Sequence, residues 1–284
     1  MQKIETILSD GNRELKKNKI ETSNLESQIL LSFMLSVSKE YLIINSNLKL
    51  DDKKISKYRK LIKRRSEGES ISNITGKREF YGRQFSVSCN VLDPRPETEL
   101  IINIIKEIYA KDTSCSVVDL GTGSACLIST LLLEFPNFKG IGTDISEDAI
   151  NIAQKNAREY LINDRVSFIV SDWLDAIDFN KFDILISNPP YIPREELESL
   201  PLEVLRNDPL VALDGGMDGL EHYKKIASNI KNKNNDKEKF LIMEIYENTV
   251  DNLFHFLVSL GFERENMILY YDFSNRKRVI VSKF

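Results

Sequence analysis

At 284 residues, with 42% hydrophobic and 29% charged side chains, the sequence has the make-up of a globular protein with one large domain, or a medium domain plus a smaller one. No apolar run reaches the roughly 18 residues a membrane span needs, and the N-terminal stretch is too charged for a signal peptide, so a cytoplasmic protein with no membrane attachment is expected. Cys89, Cys115 and Cys126 show no C-x-x-C spacing and lie far from His222 and His255, which excludes a disulfide framework and predicts reduced thiols with no metal site.

The formal net charge of −4 is unevenly placed: residues 1–75 hold 15 Lys+Arg against 10 Asp+Glu, and the remainder is acidic. Residues 1–70 read as helical throughout. Ser23-Asn24-Leu25-Glu26 has the S-x-x-E form of a capping box, and the apolar positions after it predict a helix over about 24–37. A second helix is expected to start near Asp51-Asp52 and to place Ile55, Tyr58, Leu61 and Ile62 on one face. Its other face would carry Lys53, Lys54, Lys57, Lys60, Lys63, Arg64 and Arg65, a basic surface open to nucleic acid, to an acidic protein or simply to water. Residues 71–99 change character, and the alternation of Phe85, Val87 and Cys89 predicts a short β-hairpin between two domains. Pro94-Arg95-Pro96 then fixes an extended approach to a helix opened by Glu97-Thr98-Glu99 and running to about Ala110.

Beyond this point strands and helices alternate, the pattern of a doubly wound parallel sheet. Strands are predicted at 115–120, 138–144, 165–170, 182–187 and 240–245, with helices at 124–135, 147–161, 219–231 and 249–260, the second of these capped by Ser146. Residues 231–239 contain only Lys, Asn, Asp and Glu and read as an exposed loop. Met267–Phe273 and Arg278–Phe284 are joined by a short polar turn and predict an antiparallel hairpin at the sheet edge.

Four of the strand ends carry residues suited to chemistry. After the first strand, Asp119-Leu120-Gly121-Thr122-Gly123-Ser124 lets backbone approach a ligand at a helix N-terminus. Asp144 ends the second strand 21 residues after Gly123, the spacing of an acidic residue that binds a ribose hydroxyl. Position 126 is Cys where a dinucleotide fingerprint needs Gly or Ala, so a nucleoside carrying an amino-acid tail suits the loop better. Asp172 and Trp173 follow the third strand, where a carboxylate could meet an adenine amino group and an indole could lie on the ring. Finally Asn188-Pro189-Pro190-Tyr191 ends the strand 182–187, because proline cannot continue the ladder, and offers an amide, backbone carbonyls and an aromatic face to a flat NH2 group.

Together these four strand ends resemble class I S-adenosylmethionine-dependent methyltransferases. In chain order, Ile74-Thr75-Gly76, Phe80-Tyr81-Gly82, Pro94 through Glu99, Asp119–Ser124, Ser187–Tyr191, Asp208-Pro209 and Gly215 through Leu220 narrow the resemblance to the protein-(glutamine-N5) methyltransferases of the PrmC/HemK family. It covers roughly 70–282 by motif, and the N-terminal part by size and helicity alone.

The resemblance implies an α/β fold with a mostly parallel seven-stranded sheet and an antiparallel C-terminal hairpin. Its expected domains are a helical release-factor-binding domain at 1–72, a hairpin linker at 73–92 and a methyltransferase domain at 93–284. The implied cofactor is S-adenosyl-L-methionine. Asp119, Gly121, Thr122, Gly123, Ser124 and Ala125 would hold its amino-acid end, Asp144 its ribose, and Asp172 and Trp173 its adenine, with Asn188 adjoining. The implied substrate is the Gly-Gly-Gln glutamine of class 1 peptide chain release factors, its amide gripped by Asn188 and Pro189 with Pro190 and Tyr191 alongside, Tyr191 stacking on the amide plane, and Arg95 and Glu97 closing over the site.

Departures from the family pattern are Ala125 and Cys126 after the glycine turn, Tyr246 after Glu244-Ile245, and Asn275 before the last strand. Ala125 is a mild change only if its φ is negative. A nucleic-acid exocyclic-amine methyltransferase is the alternative, since adenine N6 presents the same NH2, but the acidic methyltransferase part argues against direct nucleic-acid binding. A nicotinamide oxidoreductase is disfavoured by Cys126 and the lack of a catalytic His. A binding scaffold without activity is the remaining reading.

Overall fold

The structure is a computed structural model and describes residues 1–231 and 238–284, which divide into two compact units. The first comprises Met1–Gly76 together with Pro201–Asn207, and the second Lys77–Leu200 with Asp208–Phe284.

In the first unit, strand β1 (Gln2–Lys3) leads into α1 (Ile4–Lys17), α2 (Ser23–Leu35) and α3 (Lys39–Ile44); β2 (Lys49–Leu50) pairs antiparallel with β1, and α4 (Asp52–Ser66) and α5 (Ile71–Thr75) follow. The two-residue ladder is a small exception to the all-helical reading. Ile4, Ile7, Leu15, Leu30, Leu31, Tyr58 and Ile62 form the core, and Gly11 admits the Tyr58 ring where any Cβ would sit 2.2 Å from its hydroxyl. Asp51 caps α4 by accepting from Lys54 N at 2.8 Å.

The capping box at Ser23 does not form. Thr22 is the N-cap and makes no side-chain cap bond, while Glu26 accepts from Thr22 Oγ1 at 2.7 Å and from Arg65 Nε at 2.6 Å. Burying Glu26 opposite a guanidinium outweighs one capping bond, because a buried carboxylate is tolerated only when paired. For the same reason Arg65 leaves the basic face: it is buried, with a second ion pair to Glu203 at 2.9 Å.

The second unit opens with the antiparallel hairpin β3 (Lys77–Phe80) and β4 (Arg83–Ser86), then α6 (Glu99–Ile108). The alternating part follows as β5 (Ser116–Leu120), α7 (Cys126–Glu134), β6 (Lys139–Asp144), α8 (Glu147–Glu159), β7 (Val166–Val170) and β8 (Ile184–Ser187). After the short α9 (Leu202–Asn207), which belongs to the first unit, come α10 (Glu221–Lys231), β9 (Phe240–Glu244), α11 (Val250–Ser259), β10 (Met267–Tyr271) and β11 (Lys277–Lys283). Seven strands lie in the order β10-β11-β9-β8-β5-β6-β7, and the expected mostly parallel sheet with an antiparallel C-terminal hairpin is found: parallel from β9 to β7 and antiparallel at β11 and β10.

Side chains alternate across this sheet with the period of two that a pleated strand imposes. Val117, Ile184, Ile186, Ile242, Val279 and Val281 pack on one face with α6, α7, α8 and the hairpin's Phe80 and Phe85. Val118, Leu120, Leu185, Leu241, Met243 and Ile280 pack on the other with α10 and α11. Strand order reverses between the parallel neighbours β5 and β8: β6 and β7 extend one way from β5, and β8 and β9 the other. The crevice at the carboxyl ends of two such strands is where open α/β sheets bind ligands.

Of the polar run 231–239, residues 232–237 lie outside the described residues. Lys231 ends α10, and Lys239 is buried rather than exposed, its ammonium donating to the carbonyls of Asn180, at 2.9 Å, and Phe182. Among the described residues no helix is long and apolar enough to cross a membrane.

Candidate active site at the ends of the central strands

β5 and β8 end together, and Ser187 Oγ donates to the Leu120 carbonyl at 2.7 Å, so the glycine turn and Asn188 leave the sheet side by side. A cavity of about 250 Å³ opens there, walled by Gly121, Gly123, Asp144, Asp172, Trp173 and Asn188, with Val91, Leu92, Ala149 and Val211 among its apolar residues. A smaller cavity of about 50 Å³ shares Leu92, Gly121, Gly123 and Asn188 with it and adds Arg95, Thr98, Asp119, Thr122 and Ser124. Together they reach the low end of small-molecule pockets, roughly 300 Å³.

The glycine turn is held by its own polar groups. Thr122 N donates to the Thr143 carbonyl at 2.8 Å, and Thr122 Oγ1 donates to Asp119 Oδ2 at 2.7 Å. Gly121 has φ +71°, and a Cβ there would lie 3.3 Å from the Trp173 indole, so only glycine leaves both the turn and the ring in place. Burial pushes the Asp119 carboxyl up to about 7 despite the Thr122 bond. Ala125 lies at φ +59° as the N-cap of α7, so the condition for a mild replacement fails: its methyl is fully buried and its backbone left-handed, a conformation that costs an L-residue about 1–2 kcal/mol.

Asp144 accepts from Gly123 N and Ser146 N, one on each carboxylate oxygen and both at 2.9 Å. Burial raises its pKa against those two bonds. Each oxygen keeps a lone pair for a hydroxyl donor in the cavity. Asp172 is ion-paired with Lys225, and Trp173, at φ +52°, sets its indole beside the His222 ring with centroids 5.3 Å apart. Asp119, Thr122, Ser124 and Arg95 line the smaller cavity, while Ala125, Glu97, Pro189 and Tyr191 line neither. Pro190 lines the larger one.

The Asn-Pro-Pro-Tyr segment is braced from behind. Ile192 N donates to the Leu213 carbonyl at 3.1 Å and Gly215 N to the Ile192 carbonyl at 2.9 Å. At Gly219, φ +72°, a Cβ would come within 2.6 Å of the Tyr191 carbonyl, so the run 213–219 supplies the close backbone approach that holds the prolines. The Tyr191 ring is stacked on Tyr246, centroids 5.8 Å apart and 13° between planes, with its hydroxyl 3.4 Å from Glu244 Oε1. Tyr246 thus needs no glycine conformation and packs on the motif itself. Asn275 takes φ +59°, which asparagine tolerates, in a turn capped by Asp272. Arg95 is ion-paired with the nearly buried Asp208.

Two residues of this site escaped sequence reasoning. Asn188 Nδ2 donates to Thr98 Oγ1 at 3.1 Å, and Thr98 Oγ1 donates to Glu244 Oε2 at 2.6 Å. Both partners are buried, and the lone carboxylate closing the otherwise apolar Phe240–Glu244 was the available signal.

Comparison with known proteins places this geometry. Residues 6–76 match the model of the PrmC N-terminal domain, and 111–259 that of a methyltransferase domain. The release factor glutamine methyltransferase of Koribacter versatilis is 39% identical over 207 residues, covering 72% of this chain and 73% of its own. That of Caulobacter vibrioides is 33% identical over 216 residues, covering 76% and 75%.

The chain belongs to the release factor glutamine methyltransferase family.

The bifunctional methyltransferase of Rickettsia conorii is 35% identical over 304 residues, 98% of this chain, and the chain spans 57% of that relative's length. Among solved structures, the hMettl16 catalytic domain in complex with the MAT2A 3'UTR hairpin 6 superposes with a TM-score of 0.59 at 14% identity, covering 89% of this chain and 91% of that one. At that identity the likeness is one of fold.

Proposed function

We propose that this protein transfers a methyl group from S-adenosyl-L-methionine to the side-chain N5 of the glutamine in the Gly-Gly-Gln motif of class 1 peptide chain release factors, in the cytoplasm. The observation that carries this reading is the placement of Asn188, which lines both cavities and so stands where a nucleoside crevice and its neck meet.

The residues present suit the cofactor. The backbone of Gly121–Ser124 is open to an amino-acid end, the acceptor-only oxygens of Asp144 suit a ribose diol, and Asp172 and Trp173 suit adenine. When bound, the cofactor supplies an electrophilic methyl on a sulfonium.

A glutamine nitrogen is a poor nucleophile because its lone pair is shared with the carbonyl. Asn188 Oδ1 and the Pro189 carbonyl accept its two N–H groups, turn its lone pair outward, and meet the positive charge that grows as it pyramidalises. Tyr191, fixed against Tyr246, completes the clamp with Pro190, and Arg95 and Glu97 border it. No base is needed before transfer, because the methylated amide sheds its proton readily afterwards. The helical part at 1–72 is assigned to release-factor binding, 73–92 to the linker and 93–284 to methyl transfer.

The test is mass spectrometry of a release factor incubated with this protein and S-adenosylmethionine. One added methyl on the Gly-Gly-Gln glutamine is expected. Label appearing on nucleic acid and not on the protein would instead favour an exocyclic-amine methyltransferase.

A further inference from the structure

We propose that Thr98 and Glu244 are positioning residues that fix which end of the Asn188 amide faces the substrate. This rests on the methyl-transfer reading of the site, because an amide that must accept N–H bonds works in only one of its two flipped orientations.

Three segments far apart in the chain meet here. In the parallel register Met243 pairs with Ser187, so Glu244 and Asn188 are the next residues on adjacent strands, and Thr98 lies at the start of α6 between them. Glu244 is 1% exposed and Thr98 4%, so water does not compete for their bonds. An ionised carboxylate only accepts. The single Thr98 proton therefore goes to Glu244 Oε2, at 2.6 Å, and leaves Thr98 Oγ1 as an acceptor. Its partner must be the Asn188 NH2, at 3.1 Å, and the Asn188 oxygen is left for the substrate.

The direction of this chain depends on the charge of Glu244. Burial pushes its carboxyl up to about 7, opposed by Thr98, by Arg278 on β11 and by Tyr191, and reinforced by Glu97 ahead of α6. Tyr223 on α10 bonds the Glu244 carbonyl at 2.9 Å, and Arg278 also faces Asp272 at 3.2 Å. Once protonated, Glu244 donates to Thr98, which frees the Thr98 proton to meet the Asn188 oxygen and removes the preference for the productive orientation.

Two measurements test this on the full chain. In release-factor methylation, Thr98→Val lowers kcat about tenfold or more, the worth of one well-placed hydrogen bond, while cofactor Kd stays within about twofold and Thr98→Ser restores most of the rate. The parent's kcat rises with pH through about 7, and Glu244→Gln abolishes that limb. An unchanged kcat in Thr98→Val, or a loss confined to cofactor affinity, overturns the proposal.

The second measurement needs no substrate. With 15N-asparagine labelling, the Asn188 side-chain amide, assigned by its loss in Asn188→Asp, titrates near pH 7 in the parent and not in Thr98→Val or Glu244→Gln. An amide signal that is flat in the parent overturns the proposal. A parent that leaves release factors unmethylated while this signal titrates overturns the functional reading and leaves the positioning role standing.

Discussion

The two halves of the site are built by different means. The half along β5, β6 and β7 is the more local: a glycine turn and an acid held by bonds between neighbouring strand ends, and an aspartate–tryptophan pair that meets Lys225 and His222 of α10. Its bond from Gly123 to Asp144 spans 21 residues, that from Thr143 to Trp173 spans 30, and the ion pair of Asp172 with Lys225 spans 53. The half at β8 and β9 is assembled across the chain, with Asn188 bonded over 90 residues to Thr98, and Thr98 over 146 to Glu244. On the proposed reading, the cofactor is met largely at neighbouring strand ends, and the choice of one nitrogen rests on a polar chain that only the complete fold brings together.

The largest expected effect separates the halves by kinetics. Asn188→Ala should lower kcat by about 10² or more, as losing one preorganised polar group from an active site does, while calorimetry shows cofactor binding kept. Turnover within a few-fold of the parent would sink the clamp. Next, Asp144→Ala should weaken cofactor binding by about tenfold or more, since the two ribose contacts proposed for it would be worth about 1 kcal/mol each, with kcat at saturating cofactor changed far less. Equal losses in kcat and affinity would show that the halves are not separable.

A smaller effect concerns stability against pH. Asp119 and Glu244 hold their protons up to about 7 in the folded protein, whereas unfolded carboxyls release theirs near 4. Between those values the native state binds more protons than the unfolded one, so these two groups lower stability as pH rises from about 4 to about 7. Asp119→Asn should flatten that fall in urea titrations across the window, and an unchanged slope would contradict the assigned burial. The smallest effect is at Ala125. Glycine there relieves about 1–2 kcal/mol of left-handed strain but gives up a buried methyl worth about 0.8 kcal/mol and adds unfolded-chain entropy of similar size. A net change within about 1 kcal/mol is expected by denaturant melt, and a larger loss would mean the methyl matters more to packing than the strain does.

The same contrast explains what could be read from sequence. Every strand and helix of the sheet follows from apolar runs and Gly or Pro punctuation, and the Gly121, Asp144, Trp173 and Asn188 positions fall at strand ends that those runs mark. Thr98 was visible as a helix opener but not as a partner of Asn188, because nothing in the order of residues reports a bond across 90 positions. Glu26 misled for a related reason. Its spacing from Ser23 fits a local cap, yet the competing partner, Arg65, lies 39 residues on and is buried with it. Tyr246 and Ala125 stood out as departures from a family pattern, while the stacking on Tyr191 and the positive φ that give them meaning are properties of the folded backbone.

The helical unit is completed by residues that are made late. Glu203 pairs with Arg65, and Asn207 Nδ2 and Oδ1 bond the Gly68 carbonyl and Ser70 N at 2.9 and 2.7 Å. On a ribosome these partners emerge only after four strands of the sheet have been synthesised, so the N-terminal unit stays short of its closing contacts while the next one begins to form. Domains generally fold as units, the N-terminal one first, while the chain is synthesised at about 5–20 residues per second. Here the order of synthesis and the order of completion differ, and a cut at Gly76 would release a fragment lacking Glu203 and Asn207.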